Sequence, residues 1–568
     1  MKTLLIYPYC LEDRLHEEDV SFVPIGLYYI GAVLKENNYD VEILNWYNIN
    51  KTPERIKETF IEKKPDVIGL SIVHANRWGA LEIARTAKLV NPDVKIVFGG
   101  VGATFLWKHL LTYFKEIDFV VIGEGEYTFL NLLKCVEKHS SVKSMRKSIK
   151  DIKGIAFRKG GLAVKNKPAD RINNLDELPV PAKYFEFQHI SFTRGCPGNC
   201  TFCGSPKLWG HKVRFHSPDY FVNQIELLKE KGVNFFYVSD DTFTYKKDLA
   251  IEVCKKILEK NLNIVWVAIS RVNYISEEIL YWMRKAGCIQ ISFGVESGSE
   301  KIRNLLNKNI KTDQIKKAFA LTVKYGIMAR AYFIYGCPGE SWDTIQDTMD
   351  LIAEIKPQSV IFYILDIFPG TALYSDFKKR TKATDNIWLK SIEDILYFET
   401  DPDLSKELIL DFGKKLRTYF HENLSSFACN IELIDDKEFY KTHSDFCSRL
   451  AMTFDHGYYS QIEAVRDKEG TAEELYKKSL GYYPDHRAYL GLGIINQKSG
   501  AYEESIRIVS EGLEFFPDSE MLNICIGISH MNLGKYSTAL EYFLKFKDSD
   551  QMRYYISECY KALGFNKE

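Results

Sequence analysis

Residues 193–204 read TRGCPGNCTFCG. Cys196, Cys200 and Cys203 stand at spacings of four and three, with Gly195, Pro197, Gly198 and Gly204 around them. Three thiols can close one disulfide and leave one over. They can also hold a metal and leave one coordination position unfilled. Structural zinc takes four ligands, and no further cysteine or histidine follows at the usual spacing. His211 and His216 come only after a predicted loop. Cysteines that merely fill a core need no glycine-rich turn. Soft thiolates suit iron–sulfur clusters, and a cubane held by three of them keeps one iron open for a small ligand. The glycines let the loop wrap tightly and turn backbone N–H groups toward the sulfurs.

Around this stretch the chain has ordinary soluble composition. Of 568 residues, 46% are hydrophobic and 27% charged, enough for two to four domains. Lys plus Arg total 75 and Asp plus Glu 76, so the net charge of -1 gives no general pull toward nucleic acid or an anionic membrane. Twelve cysteines are too sparse for a disulfide-stapled secreted protein. The start, MKTLLIYPYC, is too short an apolar run for a signal peptide, and no run of 18 apolar residues occurs. A reducing cytoplasm is the expected compartment.

Five regions emerge. Residues 1–135 alternate β-rich runs (TLLIY, YDVEILNW, DVIGLSI, VKIVFGG, DFVVIGEGE) with helical spacing, which predicts an α/β domain with a parallel sheet. Residues 136–190 predict a linker and a hairpin, IKGIAFRKGGLAVKN. Residues 191–375 resume the β/α rhythm with six units, HISFTRG first and SVIFYILDI last, which predicts a partial barrel. Residues 376–470 read as mostly helical. Residues 471–568 repeat: Gly493 and Gly527, Gly500 and Gly534, and Tyr502 and Tyr536 are each 34 apart, the tetratricopeptide period.

CxxxCxxC after a first barrel strand resembles the signature of radical S-adenosylmethionine (SAM) enzymes. The resemblance implies a [4Fe-4S] cluster on Cys196, Cys200 and Cys203, with SAM on the open iron. Reductive cleavage of SAM would give a 5′-deoxyadenosyl radical that abstracts hydrogen from an unactivated carbon. It places Phe202 near the adenine and Glu296, in GVESGS, on the ribose hydroxyls. Asp240, Asp241, Ser270 and Arg271 end successive strands and are expected pocket residues, although YVSDDTF departs from the family's glycine-rich acidic motif. An external electron donor such as flavodoxin or ferredoxin is implied.

The first region has no GxGxxG after its first strand, which disfavours a nicotinamide site. FVPIGLYYIGAVLKENNYDVEILNW with DVIGLSIV, FGGVGAT and VVIGEGEYTF resembles the cobalamin-binding domain that precedes many radical SAM domains. By that resemblance Ser71, Gly99, Gly100, Gly123 and Glu124 line the slot for the nucleotide tail. The Asp-x-His-x-x-Gly cobalt ligand motif is absent; His16 has Arg14 two residues before it. Cobalamin without a protein histidine below cobalt is therefore expected.

Together these imply a Rossmann-like cobalamin domain, a radical SAM barrel and a C-terminal helical region with tetratricopeptide-like repeats. The leading expectation is methylation of an unactivated carbon. Related enzymes use the same domains for cyclisation, ring rearrangement or carbon–carbon coupling. A different class, a repeat scaffold with a degenerate core, would require inert cysteines and no iron uptake. The repeats suit a protein or peptide partner or a purely structural role. HSDFCSRLAMTF puts His443 and Cys447 one helical turn apart, as site groups or as packed helix. Cys10 follows the first strand, as a ligand-side group or a buried thiol.

Overall fold

A computed structural model describes residues 1–12, 21–49, 52–139 and 148–565. Arg14 and His16 lie outside these residues. Five parallel strands form the body of the first sheet: β1 (Lys2–Tyr7), β2 (Asp40–Asn45), β3 (Val67–Ser71), β4 (Lys95–Gly99) and β5 (Phe119–Val121), in the order β2-β1-β3-β4-β5. The apolar runs of β1, β3, β4 and β5 are buried on both faces because crossover helices cover both, while the edge strand β2 is only half-buried. The hairpin β6 (Ile155–Lys159) and β7 (Leu162–Lys165) turns through Gly160 and Gly161, both at positive φ, as a two-residue connection favours. Expected beside a linker, this hairpin instead extends the first sheet, with β6 antiparallel to β5.

In the second region β8 (His189–Ile190) is followed by a two-stranded clip, β9 (Thr193–Arg194) with β10 (Arg214–Phe215). Then come β11 (Phe235–Val238), β12 (Val265–Ser270), β13 (Cys288–Glu296), β14 (Met328–Tyr335) and β15 (Ser359–Ile364). Strands β8 and β11 to β15 lie side by side in chain order, all parallel. Six sequential units make the expected partial barrel. The run HISFTRG is not one strand. Asp240 accepts hydrogen bonds from the N–H groups of Phe192 and Thr193 at 2.8 and 3.0 Å and turns the chain away from β11 after Ile190.

One hydrophobic core runs from the first sheet through the barrel into the helices that follow. The helix Tyr440–Asp455 carries His443 and Cys447. His443 is buried, its Nε2 lies 3.0 Å from the Ile434 carbonyl oxygen, and its ring packs where a Cβ on Gly326 would go. Gly326 precedes β14, so this pair sits at the end of the sheet away from the cysteine loop. Burial pushes the Cys447 thiol up to about 12. Both are packing groups. Beyond them six helices, from Lys468–Tyr482 to Asp550–Ala562, pack in succession. Gly493 and Gly527 occupy equivalent close contacts, against Val509 and Phe543 respectively. Among the described residues, no helix is long and apolar enough to cross a membrane.

Candidate functional site

The cysteine loop is held from several sides. Thr201 N–H donates to the Leu306 carbonyl at 3.0 Å, Leu373 N–H to the Thr201 carbonyl at 3.1 Å, and the Asn307 side chain to the Asn199 carbonyl at 2.7 Å. None of the three cysteines is in a disulfide, and all are partly accessible. Gly198 N–H points at Cys196 Sγ, 3.4 Å away, and Arg271 Nη1 lies 3.8 Å from Cys200 Sγ. Burial, with Asp241 and the neighbouring cysteines adding to it, pushes the Cys203 thiol up to about 12. Thiolates there need a cation. Three soft thiolates on one loop, with an N–H and a guanidinium beside the sulfurs, suit an iron–sulfur cluster.

Several expected residues converge beside it. Arg271 donates from Nη2 to the Lys308 carbonyl at 2.6 Å, and Lys308 Nζ lies 2.5 Å from Glu296 Oε1. Cys200, Arg271, Lys308 and Glu296 thus form one chain of contacts across the ends of β12 and β13. Glu296 holds φ at 69°, in the left-handed region, where the β13–β14 register shifts. A non-glycine residue pays strain for such a conformation, and a site is where that strain persists. Ser270 bonds Thr244 and is fully buried. Phe202 is half-buried on the loop, against the core.

Asp240 and Asp241 have separate tasks. Asp240 binds Ser191, Phe192 and Thr193, and burial pushes it up to about 7 against those hydrogen bonds. It shapes the backbone entering the loop. Asp241 accepts from Ser205 Oγ at 2.5 Å and faces a cavity.

That cavity, about 310 Å³, lies between the C-terminal ends of the first sheet and the residues that lead into the cysteine loop. Ser71, Gly99, Gly100, Gly123 and Glu124 all line it from the first sheet, and Gly195 and Asp241 from the barrel. A Cβ on Gly26 or Gly123 would meet nothing within 4 Å, and one on Gly99 only Val121 Cβ at 4.0 Å. These glycines leave an open cradle at strand ends, where α/β sheets bind ligands.

Glu124 does more than line it. Its carboxylate accepts from Arg194 Nη1 at 2.8 Å and from Arg214 Nη1 at 2.9 Å, and Arg194 Nη2 reaches Glu126 Oε1 at 2.6 Å. All four side chains are at most 8% exposed. Arg194 also packs over the rings of Tyr29 and Trp209. The loop after β5 is thereby locked to the residue two places before Cys196. The sequence reading missed Arg194, Arg214 and Glu126. The only signal was opposite charge in TRGC and GEGE.

A second polar junction was also missed. His74, after β3, places Nε2 2.7 Å from Asp366 Oδ2, after β15, and 3.2 Å from Asp394 Oδ1. Burial opposes charge on the ring, but the two carboxylates outweigh it and push His74 up to about 9.

Residues 190–352 match the Radical SAM superfamily and residues 19–133 the B12 binding domain. The uncharacterized methyltransferase PH0819 of Pyrococcus horikoshii is 30% identical over 386 residues, 66% of this chain and 82% of that protein. The chain belongs to the B12-binding radical SAM family. An anaerobic magnesium-protoporphyrin IX monomethyl ester cyclase of Rubrivivax gelatinosus is 28% identical, over 64% of this chain and 68% of its own length. In fold the chain is similar to the radical SAM methyltransferase TsrM of Kitasatospora setae, solved with cobalamin and a [4Fe-4S] cluster. The TM-score is 0.59 at 15% identity, over 85% of this chain and all of that one. The family's cofactors are a [4Fe-4S] cluster, SAM and cobalamin. The three-thiolate loop fits the first, and the glycine cradle suits the third.

Proposed function

We propose that the chain methylates an unactivated carbon in a cobalamin-dependent radical SAM reaction. One observation carries this reading: the glycine cradle of the first sheet opens on a cavity whose far wall is Thr193, Arg194 and Gly195, the residues that lead into Cys196. When bound, the cluster and SAM supply a hydrogen-abstracting radical and cobalamin supplies the methyl group. Cys196, Cys200 and Cys203 would hold the cluster, with the Arg271 guanidinium and Gly198 N–H beside the sulfurs. Glu296, steadied by Lys308, would accept from the ribose hydroxyls of SAM, and Asp241 would face the same ligand. Ser71, Gly99, Gly100 and Gly123 would admit the cobalamin tail. The buried pairs around Glu124 would close the cleft against water.

The five-part division of the chain given above remains part of this reading, with the first sheet continuing through β7. An external donor such as flavodoxin or ferredoxin would reduce the cluster. Twelve cysteines without a disulfide suit a reducing compartment. The C-terminal helices, with their 34-residue period, would seat a protein or peptide partner.

Anaerobically reconstituted protein given SAM and reductant should release 5′-deoxyadenosine, with S-adenosylhomocysteine rising in step with a methylated product. The similarity to a cyclase supports a second reading, ring formation on the same scaffold. Deoxyadenosine formed without S-adenosylhomocysteine would replace methylation by that reading.

A further inference from the structure

The junction at His74 has the makings of a site of its own. Three segments far apart in the chain meet there. The loop after β3 brings His74, the end of β15 brings Asp366, and the strap that follows brings Asp394. The strap is firmly seated. Ile367 N–H donates to the Ile395 carbonyl and Tyr397 N–H to the Leu365 carbonyl, each at 2.8 Å. The strap also reaches the first domain, where Trp78 Nε1 donates to the Ile392 carbonyl at 3.2 Å and Leu11 N–H to Glu393 Oε1 at 2.6 Å. The His74 ring stacks on Phe368 at 5.1 Å, which fixes the direction of Nε2. The three donor atoms lie within 4.8 Å of one another, and among the described residues no other group of three or more His, Cys, Asp or Glu side chains does so. Their side chains are 15, 23 and 27% exposed, so the donors can be reached from water.

One imidazole and two carboxylates make a mixed N,O donor set, which favours zinc, manganese or ferrous iron over the soft-thiolate metals.

We propose that His74 Nε2, Asp366 Oδ2 and Asp394 Oδ1 bind one divalent ion of the manganese, ferrous or zinc class. Bonds of about 2.0–2.2 Å place ligand atoms roughly 3 Å apart, so the observed 2.7 and 3.2 Å spacings need only small adjustment. Binding releases to solvent the proton now shared in the 2.7 Å contact. Three protein ligands leave a coordination position for water or a substrate oxygen. The ion would clasp the cobalamin domain to the end of the barrel sheet and set the width of the cleft. Nothing in this site depends on the cysteine loop or on methyl transfer.

The test uses the full chain titrated with Mn2+, with free Mn2+ read from its electron paramagnetic resonance signal. Wild-type protein should take up one equivalent at this site. His74→Ala and the isosteric Asp366→Asn should each weaken uptake by about tenfold or more. A Cys196→Ala, Cys200→Ala, Cys203→Ala variant, which cannot hold the cluster, should bind as wild type does. The proposal is overturned if wild-type protein takes up no Mn2+, if Asp366→Asn binds like wild type, or if the cysteine variant loses the uptake.

Discussion

At the C-terminal edge of the first sheet, Gly26, Gly99 and Gly123 leave space where side chains would stand. At the matching edge of the barrel, Cys200, Arg271, Lys308 and Glu296 set sulfur and charge in one chain of contacts. Between the two edges, Arg194 and Gly195, which lead into Cys196, wall the cavity opposite the glycines. A bulky ligand is admitted by removing Cβ atoms, because backbone can then line its surface. A small, charged cluster and its nucleoside partner are held by placing donors and acceptors at short range. The same strand-end position therefore serves opposite needs.

The sharpest way to break this comparison is to empty the barrel edge. Cys200→Ala should reduce iron from about four per chain to background and abolish 5′-deoxyadenosine, because two thiolates do not hold a cubane. Iron retained at the wild-type level would show that the loop is not the cluster site. Next is the lock between the edges. Arg194→Met leaves the buried Glu124 and Glu126 carboxylates without a partner they now share. Stripping one side from a buried pair costs about 3–5 kcal/mol, visible as a lower urea midpoint. An unchanged midpoint would mean that water already compensates these charges. The smallest effect tests the edge built of absences. Gly99→Leu, at an ordinary extended φ of -144°, fills the cradle without straining the backbone. Overpacking of about 1–3 kcal/mol should weaken cobalamin retention roughly tenfold to a hundredfold and leave iron content alone. If cobalamin stays and iron falls instead, the roles of the two edges are exchanged.

What could be read in advance follows the range of the signal. The cysteine triplet, the β/α rhythm and the glycines at strand ends are local, and their positions emerge as expected. Asp240 and Asp241 are adjacent, yet one grips backbone and the other faces the cavity, and past the end of β11 the sequence does not mark which does which. The hairpin was recognisable from its paired glycines, but its attachment to β5 depends on an edge that the sequence does not mark. The lock joins residues 70 and 90 positions apart, and His74 meets its carboxylates 292 and 320 positions away. Opposite charges are plentiful in this chain, so composition gives no hint which of them meet.

The lock on Arg194 also has a consequence for how the protein is made. Glu124 and Glu126 leave the ribosome well before the cysteines do, and amino-terminal domains fold first during synthesis. The seat for the cysteine loop is thus ready when the loop emerges, while the strap carrying Asp394 arrives last and fastens the top. Synthesis delivers these parts in a fixed order: seat, then loop, then strap. A chain shorn of its first domain would keep the barrel's own contacts to the cysteine loop and lose the seat of Arg194.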